Sequence, residues 1–177
     1  MPTLSTFEEF EKSNPLARYS FYANGRVQVL LKLSIEILQQ LDAAYHHNAI
    51  SHEHISRAEE LSWLWILGSY EVVRTMCQAN ACFSDRLNSA LKKLKFELSQ
   101  VRMPVAKMEA QGQRIPITSN RSAAGLQPSD RDLLVGDPSY PRRLRSLLDH
   151  FYAVFTQLDR SDILATQSSR IRWISNQ

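Results

Sequence analysis

The chain predicts an all-α fold: a mostly antiparallel bundle of about four main helices, with a short N-terminal helix and a small C-terminal appendage. Three observations carry this expectation. Apolar residues recur at spacings of three and four over several long stretches. No alternating apolar run extends beyond a few positions, as strands would require. Only five of the 177 residues are glycine, few for an all-β protein built on tight turns. A single helical domain over residues 1–177 is expected, because 44% hydrophobic content suffices for one sizeable core.

Taken in order, Ser5 followed by Glu8 forms a capping-box pattern, which places a short helix over residues 6–12, ended by Ser13-Asn14-Pro15. Tyr19, Phe21 and Tyr22 precede Asn24-Gly25 and read as a lid on the core. From Arg26 to about His46, residues Val27, Leu30, Leu31, Ile37, Leu38 and Leu41 make the apolar stripe of the first long helix. His46 and His47 fall in its last turn, where the helix dipole favours cations, and Ser51 is placed to cap the next helix.

The second long helix covers about Ser51 to Met76. Within it, SWLWILGSYEVVRTM carries apolar side chains around its whole circumference, as expected for a central helix surrounded by neighbours. Glu71 and Arg74 stand three residues apart among them and read as a buried polar pair. Ser84 caps a third helix from Asp85, whose core stripe is Leu87, Leu91, Leu94, Leu98, Val101 and Val105, with Lys92, Lys93 and Lys95 outside. Phe96 and Met103 lie on the opposite face, covered by another segment or forming a contact patch for another chain. Pro104 is expected to kink or end the helix near Arg102.

Residues 109–137 change to Gly, Pro, Ser, Asn and Arg and predict a long irregular connection. It is either disordered or a strap packed through Ile115, Ile117, Leu133 and Leu134. The fourth helix is expected over Tyr140 to Leu158, with Pro141 in its first turn and Leu144, Leu147, Leu148, Phe151 and Phe155 as its stripe. A short helix around Ile163 follows. The tail SRIRWISNQ alternates basic and apolar residues and reads as an edge strand or a basic-aromatic phosphate contact.

The formal charge is only +3, but 15 of the 21 basic residues are arginine, so nucleic acid is permitted without being implied. Cys77 and Cys82 fit neither a disulfide framework nor a zinc spacing, which makes a reducing cytosol the simplest setting. The acidic start MPTLSTFEEFEK lacks the character of a signal peptide, and no apolar run is long enough to span a bilayer; a cytoplasmic protein without a membrane partner is expected. His46, His47, His52 and His54 are numerous enough to surround one ion. No carboxylate ligand pattern accompanies them, and the cysteines lie about 35 Å away along the second helix, so no metal is expected. Phosphate-binding glycine loops, the G-x-S-x-G elbow and the zinc-protease helix are absent. No cofactor is expected, and enzymatic activity is left open.

One arrangement remains. Arg145, His150 and Tyr152, in RSLLDHFY, spell R-x4-H-x-Y. Over these residues the sequence resembles the HEPN family, compact helical bundles that include metal-independent ribonucleases and toxins acting across a homodimer cleft. The resemblance implies that Arg145 holds the phosphate, that His150 transfers protons, and that Tyr152 is the regulatory position where a partner nucleotidyltransferase attaches nucleotide. The competing reading of the same residues is an ordinary amphipathic helix with solvated Arg142, Arg143, Arg145 and His150, in which Arg145 and His150 stand about 140° apart.

Three functions are therefore carried forward. The first is a helical interaction or regulatory module acting through a protein partner or as a homodimer. The second is a HEPN-like endoribonuclease using Arg145 and His150. The third is a nucleic-acid-binding module using Arg142, Arg143, Arg145, Arg170 and Arg172, with RNA as a possible ligand.

Overall fold

The computed structural model describes residues 4–45, 49–107, 109 and 123–167. Helix α1 (Leu4–Ser13) leads through a 3-10 turn, Pro15–Arg18, into α2 (Phe21–Ala44) and α3 (His52–Gln78), and a second 3-10 turn precedes α4 (Asp85–Lys107). Strands β1 (Ala123–Gln127), β2 (Asp132–Val135) and β3 (Arg142–Arg143) then form a small antiparallel sheet in the order β1-β2-β3. Helix α5 (Leu144–Thr156) and a 3-10 turn at Arg160–Asp162 complete the described chain. The fold is all-α in its main body. No helix among the described residues is long and apolar enough to cross a membrane.

Contacts between successive helices show their antiparallel course. Gln40 and Glu36 of α2 meet His54 and Arg57 of α3, while Leu30 meets Gly68. Trp63 of α3 reaches Val105 of α4, and Glu71 reaches Arg102. Glu97 of α4 meets His150 of α5, and Asp42 of α2 meets Arg145 of α5, closing a ring of four helices. The apolar stripes fill its interior, where Trp65 of α3 meets Phe151 of α5 edge-on with ring centroids 5.3 Å apart.

Several boundaries differ from the sequence reading. Helix α1 begins at Leu4, so Ser5 lies within it rather than at its cap. Helix α2 starts five residues earlier than expected and runs through Asn24-Gly25. The Ser20 side chain accepts the Ala23 N–H, and burial of Val27 and Leu30 in the following turns outweighs the helical cost of one glycine, about 1 kcal/mol. The aromatic lid divides: Tyr19 is buried against Phe83, whereas Phe21 and Tyr22 stand in solvent. Ser51 precedes α3 without a side-chain capping bond. Helix α3 is not wrapped on all sides, because it forms one wall of the ring. Trp65 and Ile66 point inward, while Trp63 and Leu64 are about half exposed. Helix α4 continues through Pro104 to Lys107, held by the buried neighbours Val101 and Val105.

The connection expected over residues 109–137 contains β1 and β2. Leu133 and Val135 alternate inward from β2 and are buried, while Leu134 between them is partly exposed. Ile115 and Ile117 lie outside the described residues. Gly136 follows with φ +96°, a left-handed conformation, and a Cβ there would sit 3.1 Å from Val101.

Helix α5 begins at Leu144 rather than Tyr140. Arg142 and Arg143 pair with Val135 and Leu134, which holds the preceding residues in the sheet. The cap of α5 comes from outside the local sequence: Asp132 Oδ1 accepts both the Leu133 and Arg145 backbone N–H groups, at 2.8 and 3.1 Å. A matching clasp fixes the start of α4. Ser84 Oγ accepts the Leu87 N–H and donates to Asp162 Oδ1, Arg86 pairs with the same carboxylate, and Phe83 and Ile163 form an antiparallel bridge.

Candidate functional site

An open apolar groove of about 580 Å3 runs between the N-terminal half of α2 and the C-terminal half of α3. Phe21, Tyr22 and Val29 form one wall, with exposures of 64, 83 and 63%. Gly68 and Val72 form the other. Ser20 starts α2 early enough to bring Phe21 and Tyr22 into this wall, which a helix beginning at Arg26 would not have done.

Two of the five glycines line the groove, both inside helices, where glycine is unfavourable relative to alanine. Gly68 has a packing reason: a Cβ there would lie 3.0 Å from Leu30 Cδ2, so its absence lets α2 and α3 approach. Gly25 has none of this kind. A Cβ at Gly25 would meet nothing within 4 Å, so its absence only leaves space in the groove.

The rim is polar. Arg26 stands exposed at one edge and has no ion-pair partner among the described residues. Glu71 borders the groove and pairs with Arg74 at 2.7 Å and Arg102 at 3.4 Å. Arg102 also lies over the Tyr70 ring, 5.0 Å from its centroid. The Glu71–Arg74 contact is thus part of a three-membered cluster, and it is not buried: the two side chains are 45 and 40% exposed. In a ring of four helices this face of α3 meets water, so the pair is worth at most about 1 kcal/mol.

The residues of the HEPN resemblance lie on the other side of the ring. Arg145 Nε donates to the Arg131 carbonyl at 2.9 Å, and its terminal nitrogen meets Asp42 at 2.7 Å. His150 Nδ1 lies 2.6 Å from Glu97 Oε2. Tyr152 is half exposed. Helix α5 is unbroken from Leu144 to Thr156, so Arg145 faces α2 and His150 faces α4, and the two do not converge within the chain. Asp132 beside Arg145 is buried, and burial lifts its carboxyl above the usual range despite two backbone hydrogen bonds and the nearby Arg145 and Arg143 charges. Tyr45 donates to the Asp132 carbonyl at 3.0 Å, so this corner joins α2, β2 and α5.

Phe96 is 61% exposed and Met103 is partly exposed, its Sδ 3.3 Å from Arg102. Arg143 pairs with Asp130, and Arg142 is exposed; Arg170 and Arg172 lie outside the described residues. His52 contacts Ser56, and His54 contacts Gln40 at 2.8 Å, while His46 and His47 lie outside the described residues. Among the described residues no three His, Cys, Asp or Glu side chains cluster closely enough to hold a metal ion. Burial pushes the Cys77 thiol up, away from the reactive thiolate.

The groove was missed in the sequence because Phe21 and Tyr22 read there as a lid on the core. The signal that marks it is a glycine inside each of two paired helices. No family model, curated protein or solved structure matches this chain.

Proposed function

We propose that the protein is a cytoplasmic helical interaction module whose α2/α3 groove receives an amphipathic helix of a protein partner. Its apolar face would fill the space over Gly25 and Gly68, and a carboxylate on it would meet Arg26. The observation that carries this reading is Gly25, a residue unfavourable to its helix whose only structural effect is to leave the groove open. The exposed Phe21, Tyr22 and Val29 support it, since a contiguous apolar surface rimmed by charge is characteristic of binding sites. Arg26 supplies the charge complementarity, being the rim cation without an ion-pair partner among the described residues. The ribonuclease reading draws no comparable support, because Arg145 and His150 face different helices and each contacts a carboxylate.

The test is to pan a displayed library of random helical peptides against the wild type and Gly25→Leu. Enriched peptides should carry apolar residues at i, i+3, i+4 and i+7 with an acidic residue near one end. Their affinity should fall roughly tenfold or more, about 1.4 kcal/mol, in Gly25→Leu and in Arg26→Glu. Enrichment indifferent to Gly25→Leu would overturn the groove as the binding site.

A further inference from the structure

A second pocket, of about 420 Å3, lies on the opposite side of α2 from the groove, where the end of α1 and the last turn of α5 meet it. Its volume falls within the roughly 300–1,000 Å3 of small-molecule sites. Asn24, Val27, Gln28 and Leu31 recur at three and four along α2 and so share the face that lines it. Phe155 adds apolar surface from α5. Lys12 borders the pocket, exposed and without an ion-pair partner among the described residues.

Three other polar residues around the pocket are already engaged. Ser13 Oγ donates to the Glu9 carbonyl at 3.3 Å, Asn14 Nδ2 to the Phe10 carbonyl at 3.1 Å, and Thr156 Oγ1 to the Tyr152 carbonyl at 2.7 Å. Asn24 differs from them. It is only 5% exposed, on a face that otherwise buries Val27, and its side-chain amide has no hydrogen-bond partner among the described residues. Burying an unpaired amide costs stability, and leucine at the same position would avoid that cost and suit the helix better. The amide presents a donor beside an acceptor, which another amide complements.

We propose that this pocket binds a small N-acyl amino acid with an apolar side chain. The ligand amide pairs with Asn24, its carboxylate meets Lys12, and its apolar groups lie against Val27, Leu31 and Phe155. An amide satisfies both halves of the Asn24 side chain at once, and a carboxylate satisfies the unpaired lysine with a charge-assisted bond. The site is independent of the α2/α3 groove, because α2 turns Gly25 and Arg26 to the one and Asn24 and Gln28 to the other.

The experiment titrates N-acetyl-L-leucine into the full chain, into Asn24→Leu and into Lys12→Gln, followed by protein NMR shifts. Two truncated probes accompany it: 4-methylpentanoate, which lacks the amide, and N-acetyl-L-leucinamide, which lacks the carboxylate. N-acetyl-L-leucine should bind the wild type, roughly tenfold more weakly in Asn24→Leu and several-fold more weakly in Lys12→Gln. The affinity of 4-methylpentanoate should not respond to Asn24→Leu, nor that of N-acetyl-L-leucinamide to Lys12→Gln. The thermal midpoint of Asn24→Leu without ligand should equal or exceed that of the wild type, since an unpaired amide is removed. A lowered midpoint would show that the amide serves the fold and would overturn the proposal. So would the absence of N-acetyl-L-leucine binding up to about 10 mM, or equal affinity in the wild type and Asn24→Leu. Tighter binding of a leucine-terminated pentapeptide than of N-acetyl-L-leucine would assign the pocket to chain ends and overturn the small-molecule ligand.

Discussion

The α2/α3 groove and the two ends of α5 treat polar groups in contrary ways. At the ends of α5, buried carboxylates clasp chain segments: beyond its last turn Asp162 gathers Ser84, Arg86 and the Asp159 N–H, and at its first turn Asp132 gathers the Leu133 and Arg145 N–H groups. Around the groove, Phe21, Tyr22 and Val29 face water, and the adjoining ion pairs are half exposed. The difference separates residues that hold the fold from residues available to a ligand. The arginine and histidine that resemble a catalytic motif each meet a carboxylate, Asp42 and Glu97.

The sharpest way to break this contrast is to remove one carboxylate from each side. Asp162→Ala leaves a hydroxyl, a guanidinium and a backbone N–H without their shared acceptor and should cost about 3 kcal/mol in urea unfolding. Glu71→Ala at the rim should cost less than about 1 kcal/mol by the same measurement. Equal losses would erase the distinction.

Two glycines draw the same line with smaller effects. Gly136→Ala forces a left-handed residue and a close contact with Val101, for a loss of about 2 kcal/mol. Gly25→Ala should instead stabilise by about 0.5–1 kcal/mol, because its helix gains and no neighbour is displaced. Destabilisation by Gly25→Ala would show that this glycine serves the fold.

The two clasping carboxylates also differ from each other, and pH separates them. At Asp162 burial raises the pKa, but the bonds from Ser84, Asp159 and Arg86 outweigh it and leave the carboxyl lowered. Its stabilisation is present above the ordinary carboxylate range, near 4, and is lost as pH falls through the lowered value. Burial raises the Asp132 carboxyl, so its contribution is full below the ordinary range and lost as pH rises through the raised value. Between pH 3 and pH 7 the melting temperature of Asp162→Asn should therefore fall relative to the wild type, while that of Asp132→Asn rises relative to it. Parallel pH trends would contradict the assignment. The smallest expected effect is in RNA cleavage: with a mixed RNA pool in EDTA, wild type and His150→Ala should both leave the RNA intact. Cleavage by the wild type alone would revive the resemblance in RSLLDHFY.

The long helices were legible because each buries one continuous stripe, such as Leu87 to Val105 in α4 or Leu144 to Phe155 in α5. Features that depend on distant residues were not. Helix α5 starts where Asp132, thirteen residues earlier, accepts the Arg145 N–H, and nothing near Tyr140 signals this. Strand β2 is only four residues long and exists through its pairing, so Leu133 was legible as a packing residue but its alternation with Val135, which turns Leu134 outward, was not. Gly25 was read as punctuation because its composition matches a turn; the cap at Ser20 and the anchors at Val27 and Leu30 decide otherwise. His150 found its partner Glu97 across 53 positions, beyond any local pattern.

The corner that joins Tyr45 to Asp132 and Asp42 to Arg145 also bears on the order of assembly. Helices α2, α3 and α4 meet their neighbours through successive antiparallel hairpins, whereas these two contacts span 87 and 103 positions. Closing loops of that length costs entropy before the contacts form. Helix α5 should therefore dock last when the chain folds, and its amides should be the first of the four main helices to exchange with solvent deuterium.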